Sequence, residues 1–154
     1  EMQHIFLESK RLVLYQVPIY EQANHVSQWY SITEKKNQVN IGFIGMVHCH
    51  PEWNNTGVQI IISKEENRRE GYALEALELL EQYVFEALFY QRIAVKIVDF
   101  NKPAIALFKK AGYKLEGVQE QGFYCRDTYY DFILLRLLRH EYIRRMEKLH
   151  IFLS

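Results

Sequence analysis

Apolar positions recur along this chain in two rhythms, every second residue in some stretches and every third or fourth in others, and the changes between them mark out its elements. Residues 11–16 alternate and predict a first strand, while 18–30 suit a helix with Pro18 in its opening turn, where a missing N–H does no harm. Residues 31–36 and 40–48 read as an antiparallel pair around the Lys36-Asn37-Gln38 turn, with Gly42 and Gly45 as bulge or close-approach positions. Asn54-Asn55 supplies a turn before an apolar strand at 57–63. From 72 to 89 the period lengthens, and Ala73, Ala76, Leu77, Leu80, Val84 and Leu88 fall on one helical face. A strand at 93–98, a short helix at 103–111, strands at 113–123 and 129–138 and a polar helix at 140–150 complete the pattern. This order predicts an α+β domain with a mixed sheet and helices on both of its faces.

Composition narrows the function classes. At 154 residues the chain predicts one domain, large enough to bury a core without disulfides or metals. Its 19 basic and 19 acidic residues leave no net charge, which argues against a nucleic-acid partner. The two cysteines, Cys49 and Cys125, the absence of a membrane-length apolar run and the lack of a cationic-then-apolar opening predict a reduced, soluble, cytoplasmic protein with no membrane partner. Eleven tyrosines and nine phenylalanines fall mostly at core spacing, so they favour packing over base stacking.

The chemistry is concentrated in two segments. Arg68-Arg69-Glu70-Gly71-Tyr72-Ala73 lies between the apolar run at 58–62 and the helix that begins near Tyr72. A strand that ends in a basic, glycine-containing turn at a helix N-terminus offers N–H groups and a positive dipole end to an anion, so a phosphorylated ligand is expected; a solvated helix entry is the alternative. Neither Gly-x-Gly-x-x-Gly nor Gly-x-x-x-x-Gly-Lys-Ser/Thr is present. Downstream, Asn101-Lys102-Pro103-Ala104-Ile105-Ala106-Leu107-Phe108-Lys109-Lys110-Ala111-Gly112-Tyr113 follows the strand at 93–98. Asn101 suits an N-cap, Pro103 a first turn and Gly112 a C′ position.

The order Arg-x-x-Gly-x-Ala resembles the acetyl-CoA pyrophosphate loop of the GNAT N-acetyltransferase superfamily, Gln/Arg-x-x-Gly-x-Gly/Ala. The stretch from Asn101 to Tyr113 resembles that family's Asn-x-x-Ala-Ile-x-Leu-Tyr-x-Lys-x-Gly-Phe signature. The resemblance runs on through Glu116-Gly117, Tyr130-Asp131 and Leu134-Leu135, and the stretch Gln59-Ile60-Ile61-Ile62-Ser63 resembles the polyamine enzymes of the spermidine and ribosomal-protein N-terminal acetyltransferase branch. It implies a GNAT fold, with a mixed, mostly antiparallel sheet splayed between the family's fourth and fifth strands, here 58–63 and 93–98, after a bulge in the first of the two. It also implies a single domain over 1–154: first strand and helix on the acceptor side at 1–30, a cofactor-binding core at 31–123, and a closing strand and tail at 124–154. The implied activity is direct transfer of acetyl from acetyl-CoA to a primary amine in a ternary complex, a polyamine or other small amine being favoured. N-terminal protein acetylation and a non-catalytic acyl-CoA-binding module are the alternatives. A homodimer formed through 129–138 or 140–150 is a further expectation.

By the same resemblance, the backbone of Ile60, Ile61 and Ile62 pairs with the pantetheine arm and leaves one N–H to polarise the thioester. The N–H groups from Arg69 through Glu70, Gly71, Tyr72 and Ala73 to Leu74 hold the pyrophosphate, with Arg68 and Arg69 adding charge. Asn101, Ala104, Phe108 and Lys110 complete the cofactor contacts, Asn101 either reaching the pantetheine or capping its helix. Phe108 stands where many relatives carry the tyrosine that protonates the leaving sulfur, and a phenylalanine cannot donate that proton. Tyr113, Tyr124, Tyr129 and Tyr130 are alternative donors by residue type, and lost turnover stays open. The family's acidic position on the fourth strand falls at Gly57 or its neighbours, so His48, His50 and Glu52 become candidates for a base acting through water, or simply polar strand-end residues. His48 and His50 could share an ion, yet no second ligand pair accompanies them, and no metal is expected. Glu21, Glu34, Glu65 and Glu66 could meet a polyamine or serve solubility. Relatives carry several dozen residues between the first helix and the second strand, whereas Trp29-Tyr30 runs almost directly into Ser31. That implies a reduced acceptor site or a segment missing from the sequence given.

Overall fold

The computed structural model describes residues 5–17, 27–63 and 71–153. Eight strands form one sheet: β1 Ile5–Glu8, β2 Leu12–Gln16, β3 Gln28–Glu34, β4 Val39–His50, β5 Asn55–Ile62, β6 Arg92–Val98, β7 Lys114–Cys125 and β8 Thr128–Leu138. Their spatial order is β1-β2-β3-β4-β5-β6-β8-β7, and every neighbouring pair is antiparallel except β5 and β6. That one parallel pair needs a crossover, which α1, Tyr72–Gln82, provides; α2, Lys102–Lys110, links β6 to β7, and α3, Arg139–Leu153, follows β8. No helix among the described residues is long and apolar enough to cross a membrane.

Most elements form where the periodicity places them, and the departures have physical causes. The four-residue β1 is too short to announce itself by alternation, and it pairs with β2 from Ile5↔Tyr15 to Glu8↔Val13. The helix expected over 18–30 is strand at 28–30, where Tyr30 is fully buried between Gln16 on β2 and Ile44 on β4. Aromatic side chains suit that pleated environment, and tertiary pairing outweighs the helical reading. The remainder of that expected helix, 18–26, lies outside the described residues. The helix expected over 72–89 is α-helical only to Gln82 and then widens into a π turn at Tyr83–Ala87, where the Leu88 N–H donates to the Tyr83 carbonyl. This wider turn carries Val84 and Phe85, both fully buried. The ladder irregularity beside the start of β5 lies in its neighbour β4, and not in the strand at 58–63 where the bulge was expected: the register slips between Val47↔Gly57 and His50↔Asn55, with His48 at φ 50°.

The core is a single cluster in which Leu12, Leu14, Ile44 and Ile93 from the sheet meet Leu77, Leu80 and Phe108 from the helices. Each such side chain contributes roughly 2 kcal/mol on burial. The helices also touch one another: the rings of Phe85 and Tyr142 lie 4.9 Å apart, and Arg145 of α3 donates to the Ala111 carbonyl at the end of α2 and lies 3.7 Å from Glu78 of α1.

Within this helical layer sits a buried carboxyl. Glu81 is fully buried, facing the enclosed Tyr113 hydroxyl, and neither group makes a hydrogen bond of good geometry. Burial pushes Glu81 up to about 7, against the pull of Tyr113 and Arg145. A raised carboxyl binds a proton more tightly in the folded state, so its stabilisation is complete below the unfolded value near 4.5 and is lost as pH rises through about 7. The loss amounts to about 3 kcal/mol. Glu81→Gln, which keeps the neutral shape, is therefore expected to match the parent in urea unfolding at pH 5 and to exceed it at pH 8. Equal pH dependence in the two proteins would contradict this assignment.

Candidate active site

The site begins where two neighbouring strands part. β5 and β6 pair only at Asn55↔Arg92, Thr56↔Ile93 and Gly57↔Ala94. Beyond Gly57, β5 stays with β4 as far as Gly42↔Ile62, and β6 stays with β8 as far as Val98↔Phe132. Each strand follows its own antiparallel partner, so a cleft opens between them toward Ile62 and Val98. Along its β5 wall, alternate N–H and C=O groups that a parallel neighbour would take face the gap, the pattern an extended amide-bearing ligand can complete. Val58 and Ile62 are buried there, Ile60 is half-buried and Ile61 is exposed.

The crossover helix α1 starts where β2 begins, its first turn held by Ser9 and Arg11. Arg68, Arg69 and Glu70 of the basic turn fall at 64–70, outside the described residues. Gly71 is described: it is the N-cap at φ 77°, it offers no side-chain cap, and it holds a left-handed conformation that side-chain-bearing residues adopt only under strain. Tyr72, Ala73 and Leu74 form the first turn, whose N–H groups have no partner inside the helix. A carboxylate and a guanidinium flank this turn. The Glu75 carboxylate accepts from the Ser9 hydroxyl, from the Arg11 backbone N–H at 3.1 Å and from Arg11 Nε at 2.7 Å. Partial burial works to raise its pKa, but the Ser9 and Arg11 hydrogen bonds outweigh that and hold it below the usual carboxylate range.

α2 supplies the other flank. Asn101 caps it, its side-chain oxygen accepting from the Ala104 N–H at 3.3 Å, and Gly112 closes it at φ 96° with its N–H on the Lys109 carbonyl. Ala104 is half-buried in the first turn beside that cap, at the cleft end of the helix. Lys110 is exposed in the last turn, roughly 13 Å from the cap at the usual helical rise. Phe108 is 2% exposed, with its ring edge-on to Tyr113 at 5.0 Å. It belongs to the core and has no exposed surface with which to touch a cofactor.

The acid–base candidates do not gather at the cleft. His48 sits in the β4 irregularity opposite Thr56, close to the point where the strands part. His50 and Glu52 lie beyond the closed end, where His50 Nδ1 is 3.2 Å from Glu52 and its ring stacks on the exposed Trp53 at 4.6 Å. Tyr113 is enclosed beside Glu81, and burial raises its hydroxyl well above the ordinary value. Among the described residues, no three His, Cys, Asp or Glu side chains are placed to hold a metal ion. The Ser9, Arg11 and Glu75 constellation was invisible in the sequence because 64 positions separate Arg11 from Glu75 and no motif spans them.

Residues 5–114 match the family model described as an acetyltransferase (GNAT) domain. The chain is 25% identical over 131 residues to the SPbeta prophage-derived uncharacterized N-acetyltransferase YokL of Bacillus subtilis, covering 78% of this chain and 73% of that one. It is 29% identical over 110 residues to the spermidine N(1)-acetyltransferase of Escherichia coli, covering 71% of this chain but only 56% of that enzyme. Among solved structures, a dodecameric spermidine N-acetyltransferase from Vibrio cholerae shares the fold with a TM-score of 0.72 at 20% identity, over 79% of this chain and 70% of that one.

The capping role of Asn101 is directly measurable. Asn101→Ala is expected to lower the unfolding free energy by about 1 kcal/mol, and Asn101→Asp by only a few tenths. An alanine variant as stable as the parent would show that the cap does not order α2.

Proposed function

The chain belongs to the GNAT acetyltransferase domain family, and from that premise we propose that it transfers the acetyl group of acetyl-CoA directly to a primary amine, with polyamines and other small amines as first candidates. The observation that carries this reading is the parting of β5 from β6 beyond Gly57. The residues fit the donor. An open strand edge suits the amides of a pantetheine arm, and at Gly71 an added Cβ would meet, among the described residues, Arg11 at 3.6 Å.

In this reading acetyl-CoA supplies an activated thioester. The β5 wall holds the arm as an added strand, and one of its N–H groups faces the carbonyl oxygen on which charge develops as the amine attacks. The first turn of α1 holds the diphosphate. A new C–N bond forms and the C–S bond breaks; the amine loses a proton and the departing thiolate gains one. Phe108 offers no hydroxyl for that second transfer, so water or the ammonium itself completes it. His48, near the apex of the cleft, is the side chain best placed among the candidates to take a proton through water.

Similarity to the E. coli spermidine enzyme supports an amine acceptor and puts polyamines first. We read residues 1–154 as one cytoplasmic domain, and the dodecameric V. cholerae structure makes self-association part of the same proposal. A second reading, an acyl-CoA-binding module without turnover, is favoured by the enclosure of both Phe108 and Tyr113. Thiol release from acetyl-CoA, measured across polyamines, aminoglycosides, amino acids and short peptides, decides between them. Amine-dependent release, strongest with polyamines, is the expected result. Binding of acetyl-CoA with no amine-stimulated release would establish the second reading, and absence of binding would overturn both.

A further inference from the structure

We propose that the groove between α3 and the start of β7 binds a small molecule bearing more than one phosphoryl group, at a place separate from the cleft between β5 and β6. The groove encloses about 360 Å³, within the range of small-ligand sites, and is lined by Lys114, Glu141, Arg144, Arg145, Lys148 and Leu149. Four of those side chains are cationic and one is acidic, a local excess in a chain whose net charge is zero. Lys114 follows the C-terminal end of α2, whereas the open end of the cleft lies by the Asn101 cap at the other end of that helix.

The single carboxylate does not offset the excess. Glu141 already accepts from Lys114 Nζ and Arg136 Nη1, each at 2.7 Å, and from the Leu138 backbone N–H at 3.0 Å. Arg145 is engaged with the Ala111 carbonyl and lies 3.7 Å from Glu78. Arg144 and Lys148 are exposed, and among the described residues neither has an acidic partner within ion-pair distance. They stand four residues apart, hence on one side of α3 and about 6 Å apart along its axis, a spacing at which like charges repel. Both precede the last turn of the helix, where the dipole alone would favour a cation. The balancing carboxylates are elsewhere: Glu75, Glu78 and Glu86 line a second groove, which Tyr142 and Met146 of α3 also line. Cations on two walls, one of them a guanidinium with a planar fork of donors and others ammonium point charges, suit successive phosphoryl groups. Leu149, 42% exposed in the same lining, offers apolar surface to the rest of such a molecule.

The test is titration of the full isotope-labelled chain with sodium pyrophosphate, followed by amide chemical shifts and by calorimetry, with sodium sulfate at equal ionic strength as the control. Pyrophosphate is expected to bind with a Kd below about 1 mM and to shift the amides of Lys114 and of Arg144 to Leu149. The double variant Arg144→Gln/Lys148→Gln, whose substitutions leave the core untouched because both side chains are exposed, is expected to bind about tenfold more weakly. No binding by the parent overturns the proposal, and so does equal affinity in the double variant. Shifts centred on Tyr72 to Leu74 would place the anion at the start of α1 and overturn it as well. Sulfate bound as tightly as pyrophosphate would mark a diffuse anionic atmosphere, and a polyglutamate peptide bound more tightly at the same amides would mark a docking face for an acidic protein segment; either result contradicts a phosphoryl site. None of these outcomes depends on whether the chain binds acetyl-CoA.

Discussion

One constraint organises this molecule: β5 and β6 are parallel neighbours, yet each is committed to a different antiparallel partner. Three residue pairs hold them together from Asn55 to Gly57, and past that point β4 draws one strand away while β8 keeps the other. The cleft is therefore built from continuous ladders on both outer sides, and among the described residues no strand lies between its inner walls. The crossover helix α1 follows β5, and its first turn is held by Ser9 and Arg11 at the start of β2. α2 begins at the open end of the cleft, since Asn101 follows the last residues of β6.

The helices that bound the cleft are fixed from behind. α3 joins them through Arg145, which reaches the end of α2 and the side of α1, and through the contact of Tyr142 with Phe85. The buried Glu81 and Tyr113 lie in this layer, so protonation is linked to how firmly α1 and α2 sit together. At the opposite end of α1, Ser9 and Arg11 tie the first turn to the β1–β2 edge of the sheet. A helix fixed at both ends suits a ligand whose charged part is held by backbone donors, because such donors act best when their geometry is set beforehand.

Much of this was legible in the sequence. The long apolar face from Ala73 to Val84, the alternation in β2 to β6 and the Asn101 and Gly112 punctuation all reflect local physics that acts within a few residues. The glycine at 71 was readable as part of the basic turn before the helix, but its left-handed cap conformation was not. What could not be read depends on distant partners. Trp29 and Tyr30 look helical until β2 and β4 claim them as a strand, and β1 is too short to show a period. The π turn adds one residue to a helical turn without any change in composition. Phe108 was legible as a departure from its family's tyrosine, but only its burial against Tyr113 reveals that it packs as core. The Arg11 and Glu75 pair was out of reach, because two elements must fold together before those residues are neighbours.

The central claim is that the open β5 wall receives the donor as an added strand. Residue-resolved hydrogen exchange of the β5 amides, with and without CoA, tests it most directly. CoA is predicted to slow exchange at alternate amides between Val58 and Ile62, while β2 and β3 amides exchange unchanged. Saturating CoA with no added protection along that stretch would contradict the account.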